Sequence, residues 1–174
     1  MIKDIQDLEW TLIQSGIAAR EDLVGCSPEE IAALEQRYGV LPDSYRQILA
    51  LIGHRAGQLV DRAEFWIYVD QIERIPERIQ GFLDVVRAEG GEVPDIPPNA
   101  FFISARYGEF PHYVLTGGGP DSVVYVFNDD DEATAKAFDS VWDWVEAFVK
   151  DTQFFMALAV SRGLPVFRGR DVQH

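Results

Sequence analysis

Apolar residues recur three and four apart in some stretches of this chain and two apart in others, and the change of period marks out its elements. The clearest helical stretch is residues 27–53, SPEEIAALEQRYGVLPDSYRQILALIG. Ser27-Pro28-Glu29-Glu30 reads as a capping box, with the serine oxygen accepting from the third helical amide and Glu30 reaching back. Pro28 at the first helical position gives up no needed donor. Cys26 and Ile31 stand where a hydrophobic staple would. Ile31, Leu34 and Tyr38 form one stripe, and Gly39 supplies a left-handed terminal residue. Leu41-Pro42 turns the chain. Tyr45, Ile48, Leu49 and Ile52 then mark the inner face of a second helix that Gly53 ends. The pair shares one apolar face.

The same patterning organises the rest. Residues 1–25 read as a helical lead-in, with Ile5, Leu8, Leu12 and Ile13 at helical spacing and Gly16 as a stop. Residues 63–69 (AEFWIYV) are aromatic and β-branched and read as a strand. Residues 70–88 read as helical, broken or restarted at Pro76, with Ile79, Phe82, Leu83 and Val86 as the apolar face. Residues 89–99 (EGGEVPDIPPN) are a loop by composition. Three strands follow, over 101–106, 112–116 and 122–127, and a further short one over 135–139. The connections Tyr107-Gly108-Glu109 and Gly117-Gly118-Gly119-Pro120-Asp121 are short enough for antiparallel hairpins. Ser140 can cap a closing helix carrying Val141, Trp142, Val145, Phe148 and Val149. Phe154, Phe155, Met156 and Leu158 mean either that this helix continues or that another packs on the core. The tail from Gly163, with Arg168 and Arg170, reads as irregular. The order is helices, strand, helix, strand meander, helix. The expected fold is α+β, an antiparallel sheet meander covered by an N-terminal helical pair and a C-terminal helix.

Length and composition narrow this picture. A chain of 174 residues suits one domain spanning 1–174. With 47% hydrophobic and 25% charged residues it can bury a core without staples. No apolar run is long enough to span a membrane, and the first residues lack a signal-peptide core, so a cytoplasmic location is expected. The single cysteine excludes an intrachain disulfide framework and a multi-cysteine metal site. The formal net charge of −14 sets the surface against nucleic acid and anionic lipid and favours basic partners. It is also what a merely soluble surface looks like.

Candidate chemistry is sparse, and no cofactor is expected. Asn128-Asp129-Asp130-Asp131-Glu132 is the densest charge run. It reads either as a solvated turn or as a patch that docks a basic surface. A calcium loop fails on spacing, lacking the central glycine and the final carboxylate. Cys26 before a helix N-terminus sits where a thiol pKa can fall, with His54 and His112 as conceivable bases, although a staple cysteine is the simpler account. Gly117-Gly118-Gly119 lacks the lysine and hydroxyl residue of a phosphate loop and reads as a turn. Trp66, Trp142 and Trp144 suit a core. Trp142 and Trp144 are two apart, however, so one of them is a candidate exposed anchor.

The order of elements, and three sets of residues, resemble the SUKH superfamily of bacterial immunity proteins and fungal cell-wall assembly regulators. The first set is the acidic helix with Leu41-Pro42, Tyr45-Arg46 and the helix end at Gly53. The second is the meander over 101–127, with Val124-Tyr125-Val126 before an acidic loop. The third is Phe138-Asp139-Ser140-Val141-Trp142-Asp143-Trp144. The core of the resemblance is about residues 27–150, leaving 152–174 as a C-terminal extension, and the polar Asn-Gly often found after the family's second helix is Ile52-Gly53-His54 here. The resemblance implies a non-enzymatic protein that binds a toxin and masks its active site. The acidic balance fits a basic toxin domain such as a nuclease. Asp129, Asp130, Asp131 and Glu132 are then the leading interface residues, with Tyr107, Glu109 and Asp121 as further ones. The alternative is a regulatory interaction module of the cell-envelope type with no toxin.

Overall fold

The computed structural model describes residues 1–93, 95–128 and 133–164. Helix α1 (Ile5–Gln14) starts where the Asp4 carboxylate accepts from Asp7 N and buries Leu8 and Leu12. The lead-in then stops being helical. A single 3₁₀ turn (Arg20–Asp22) passes into β1 (Leu23–Val24), which pairs with β2 (Arg55–Ala56) in a small ribbon. Two-residue strands leave no periodicity for a sequence to show.

Helix α2 (Pro28–Tyr38) has the expected capping box: Glu30 N donates to Ser27 Oγ at 3.2 Å, and Ser27 N to Glu30 Oε2 at 2.7 Å. Gly39 does take positive φ (+100°), but with ψ of 166° it is extended rather than left-handed helical. Helix α3 (Asp43–Ile52) buries Tyr45, Ile48, Leu49 and Ile52, as its spacing requires. Its first amides have no side-chain cap. Instead Asp43 N donates to Gly119 O (2.8 Å) and Ser44 N to Pro120 O (3.1 Å). The triple-glycine segment is thus a turn that caps a helix through its carbonyls, while the amides of Gly117 and Gly118 are spent on Val40 O.

The strand expected over 63–69 shrinks to β3 (Phe65–Trp66). Val69 N donates to Gly53 O (2.9 Å) and Ile72 N to Tyr68 O, which opens the short helix α4 (Val69–Ile72). Tyr68 and Val69 are drawn into the core, so tertiary packing overrides their β propensity here. Helix α5 (Ile75–Ala88) restarts with a proline in its first turn and buries Ile75, Ile79 and Leu83.

The meander is as expected. Strands β4 (Ala100–Arg106), β5 (Glu109–Leu115), β6 (Val124–Asn128) and β7 (Ala133–Phe138) follow β3 in the order β3-β4-β5-β6-β7, every neighbour antiparallel. Direct pairs put Phe102, Tyr113 and Tyr125 on one face and Phe101 with Val114 on the other. Helix α6 (Val141–Ser161), capped by Ser140 accepting from Asp143 N, packs with α3 on the second face, where Tyr45 meets Phe101 (5.9 Å) and Trp144 (6.1 Å). On the first face Phe82 of α5 meets Phe127 edge-on at 6.0 Å. The fold is α+β, and the meander has helices against both faces.

Helix α6 continues unbroken into the extension. Thr152 Oγ1 donates to Leu59 O and Met156 packs against the core, while Phe154 and Phe155 are exposed. Among the described residues, no helix is long and apolar enough to cross a membrane.

Candidate interaction surface

The β4–β5 turn is the most constrained exposed feature. Arg106 pairs with Glu109, so only Tyr107 and Gly108 turn the chain, at φ of 53° and 79°. The twist of a hairpin demands positive φ at both residues of such a turn. Glycine accepts that freely; tyrosine does so under strain. Tyr107 nevertheless stands here with 56% of its surface exposed. The turn is tied down at its base: Tyr107 N donates to Glu64 O (2.6 Å), and Arg106 Nε donates to Glu64 Oε1 (2.8 Å). The Arg106 guanidinium also lies 5.8 Å from the Tyr107 ring centroid.

Beyond the turn the register slips. Ser104 pairs with His112 but Arg106 with Glu109, so β5 carries one residue more than β4 over this span. Phe110 in the bulge has φ of 48° and is exposed. Pro111 follows it and has no amide for a ladder bond, which is why the bulge forms there. Tyr107 and Phe110 therefore flank Glu109 as exposed aromatics. Phe110 escaped the sequence reading, although a proline inside a strand pattern was the available signal.

The interface residues expected from sequence do not all come together. Asp129, Asp130, Asp131 and Glu132 lie outside the described residues. In sequence they join β6 to β7, whose ends Asn128 and Ala133 pair. In a meander those ends fall on the same side of the sheet as the Tyr107–Gly108 turn. Asp121 lies at the opposite end, between β5 and β6, and its Oδ1 is occupied internally. It accepts from Ser44 Oγ (2.7 Å), Ser122 N (2.8 Å) and Val141 N (3.1 Å), tying the turn to the starts of α3 and α6. The expected exposed tryptophan is neither Trp142, which packs half-buried on the core, nor Trp144, which is buried; it is Trp10 on α1.

The nucleophile and base candidates are held in structural roles. The Trp144 indole can only donate, and it donates to Ser104 Oγ (3.2 Å). Ser104 Oγ, with its own proton and a second lone pair free, also hydrogen-bonds His112 Nδ1 (3.0 Å). Burial pushes the His112 pKa down to about 4, a poor base at neutral pH, and Ser104 is only 1% exposed. Ser104 and His112 line a cavity of about 150 Å³ with Phe65, Phe138, Phe148 and Asp151. A second hollow of about 220 Å³ lies between Tyr38, Ile72, Glu73, Pro76, Pro98 and Phe102. The helix-terminus effect expected at Cys26 is reversed: burial first, then the Glu30 and Glu73 carboxylates, push its thiol up to about 11. Among the described residues one mixed set of metal-capable donors meets, Cys26, Glu30 and His54, with ligand atoms within 4.8 Å of one another.

Comparison with curated proteins finds no match. The model of the SMI1 / KNR4 family (SUKH-1) matches residues 25–147, from Gly25 just before α2 into the first turns of α6. That span takes in the capped helical pair and the whole meander, and the chain belongs to the SMI1 / KNR4 (SUKH-1) family.

Proposed function

We propose that this protein is an immunity protein, acting in the cytoplasm, that binds a basic toxin domain such as a nuclease and masks its active site by direct contact. The family's roles are immunity and cell-wall regulation, and its members are in general non-enzymatic binding proteins. The observation that carries the reading is the Tyr107–Gly108 turn, which keeps a strained tyrosine exposed. Strain of this kind persists where the surrounding structure enforces it, and it clusters at binding sites. The proposed contact comprises Tyr107, Glu109 and Phe110 with Asp129, Asp130, Asp131 and Glu132 of the neighbouring connection. The net charge of −14 would steer a basic partner toward it. The exposed aromatics would supply the dry centre of the interface, where binding energy concentrates.

The test is capture from a lysate of the source organism at low and high salt, then binding kinetics with the captured toxin domain. The expected partner is basic and held less tightly at high salt. Replacing the four acids by their amides should slow association and flatten its salt dependence, and Tyr107→Ala should speed dissociation. Equal kinetics for the amide variant across the salt series would remove the acidic site. Capture of envelope or metabolic proteins alone would favour the regulatory module instead.

A further inference from the structure

We propose that Cys26, Glu30 and His54 form a binding site for a divalent cation of the zinc class, with thiolate, carboxylate and imidazole as ligands and a fourth position open to solvent. Nothing in the proposed toxin-binding role requires this site. It lies where the start of α2 meets the end of α3. The three donors come from sequence positions whose spacing announces nothing, and the fold alone assembles them.

The backbone holds them in place. Cys26 stands just before the extended N-cap Ser27 and Glu30 in the first turn of α2, and the chain's bend at the cap brings their side chains together. Cys26 N donates to Leu49 O (2.8 Å), and His54 N donates to Val24 O (2.8 Å), so both ligand-bearing segments are fixed before any ion arrives. Gly53 permits the close approach: a Cβ there would stand 2.3 Å from Cys26 Sγ. The His54 Nε2 and Glu30 Oε1 atoms are already 3.0 Å apart.

The chemistry suits the ion. The donors all lie within 4.8 Å of one another. Ligands about 2.0–2.3 Å from a tetrahedral zinc sit roughly 3.5 Å apart, so side-chain rotation of about 1 Å closes the set. A mixed sulfur, nitrogen and oxygen set favours zinc over hard cations such as calcium or magnesium. Access is open on one side, since the Glu30 and His54 side chains are 47% and 34% exposed while Cys26 forms the buried floor. Glu30 and Glu73 both bear electrostatically on the thiol, so the pocket is negative before the cation enters. On binding, the thiol proton leaves to solvent as the sulfur–metal bond forms, and the ion's two charges meet one thiolate and one carboxylate.

The experiment titrates the untagged full chain with Co²⁺, then with Zn²⁺ as competitor. One Co²⁺ per chain should bind with a near-ultraviolet thiolate-to-cobalt charge-transfer band. Cys26 is the only cysteine, so no other residue can produce that band. It should vanish in Cys26→Ser and on adding one equivalent of Zn²⁺. His54→Gln and Glu30→Gln alter one half-buried and one exposed side chain and should each weaken binding at least about tenfold. Absence of the thiolate band at saturation overturns the proposal. So does unchanged affinity in either the His54 or the Glu30 variant, which would mark the binding as scattered surface carboxylates.

Discussion

His112 offers a quantitative test of the packing between α6 and the sheet. It sits neutral against Ser104 and Phe138, and burial lowers its pKa from 6.5 to about 4. Between those values the unfolded chain binds a proton that the native state refuses, so stability rises with pH there. The group's contribution is fully present above the unfolded pKa, is lost as pH falls through 6.5 toward 4, and levels off below. At about 1.4 kcal/mol per pH unit, the whole effect is about 3 kcal/mol. The portion accessible between about pH 7.5 and pH 5 is about 2 kcal/mol. The assay is urea unfolding followed by tryptophan fluorescence across that range, for the native sequence and for His112→Asn. Asparagine keeps an acceptor for the Ser104 hydroxyl but does not titrate. Carboxylates titrate in both proteins and cancel in the difference. The two stability curves should converge by about 2 kcal/mol as pH falls. Parallel curves would mean that His112 is solvated or protonated in the native state.

Tyr107→Asn puts a residue that tolerates positive φ at the strained turn position; it should raise stability by about 1 kcal/mol in chemical denaturation while weakening partner binding. A loss of stability would show that the Tyr107 side chain holds the turn together. Asp121→Ala strips one carboxylate oxygen from three donors and should cost about 3 kcal/mol, with early loss of helicity on heating. At a temperature where the variant is folded, its partner affinity should be unchanged, and a large drop in affinity would return Asp121 to the interface.

What the sequence disclosed follows from where the determining physics lies. The capping box at Ser27, the stripe along α3 and the meander are set by residues a few positions apart, and all were legible. The residues of 63–69 were misread because Tyr68 and Val69 answer to the end of α3, which is distant in sequence but adjacent in space. Asp121 looked like a surface acid in a glycine-rich turn. Its role as a clasp between α3 and α6 depends on donors 77 and 20 residues away. The Trp144–Ser104–His112 chain and the Cys26–Glu30–His54 cluster are likewise products of tertiary structure. Phe110 is the exception: the proline after it marked a bulge, and the bulge is what turns the ring outward.

The two-residue turn at Tyr107–Gly108 has a consequence for the entropy of association. A longer loop would leave its tip residues sampling many backbone states, and fixing each on binding costs about 1–2 kcal/mol. Here the dihedrals of Tyr107 are already set by the ladder on both sides and by the bond to Glu64 O. Only the ring's own rotation is left to be frozen. The energy held as strain in the free protein thus becomes preorganisation, and a partner meets a ring that is already in place.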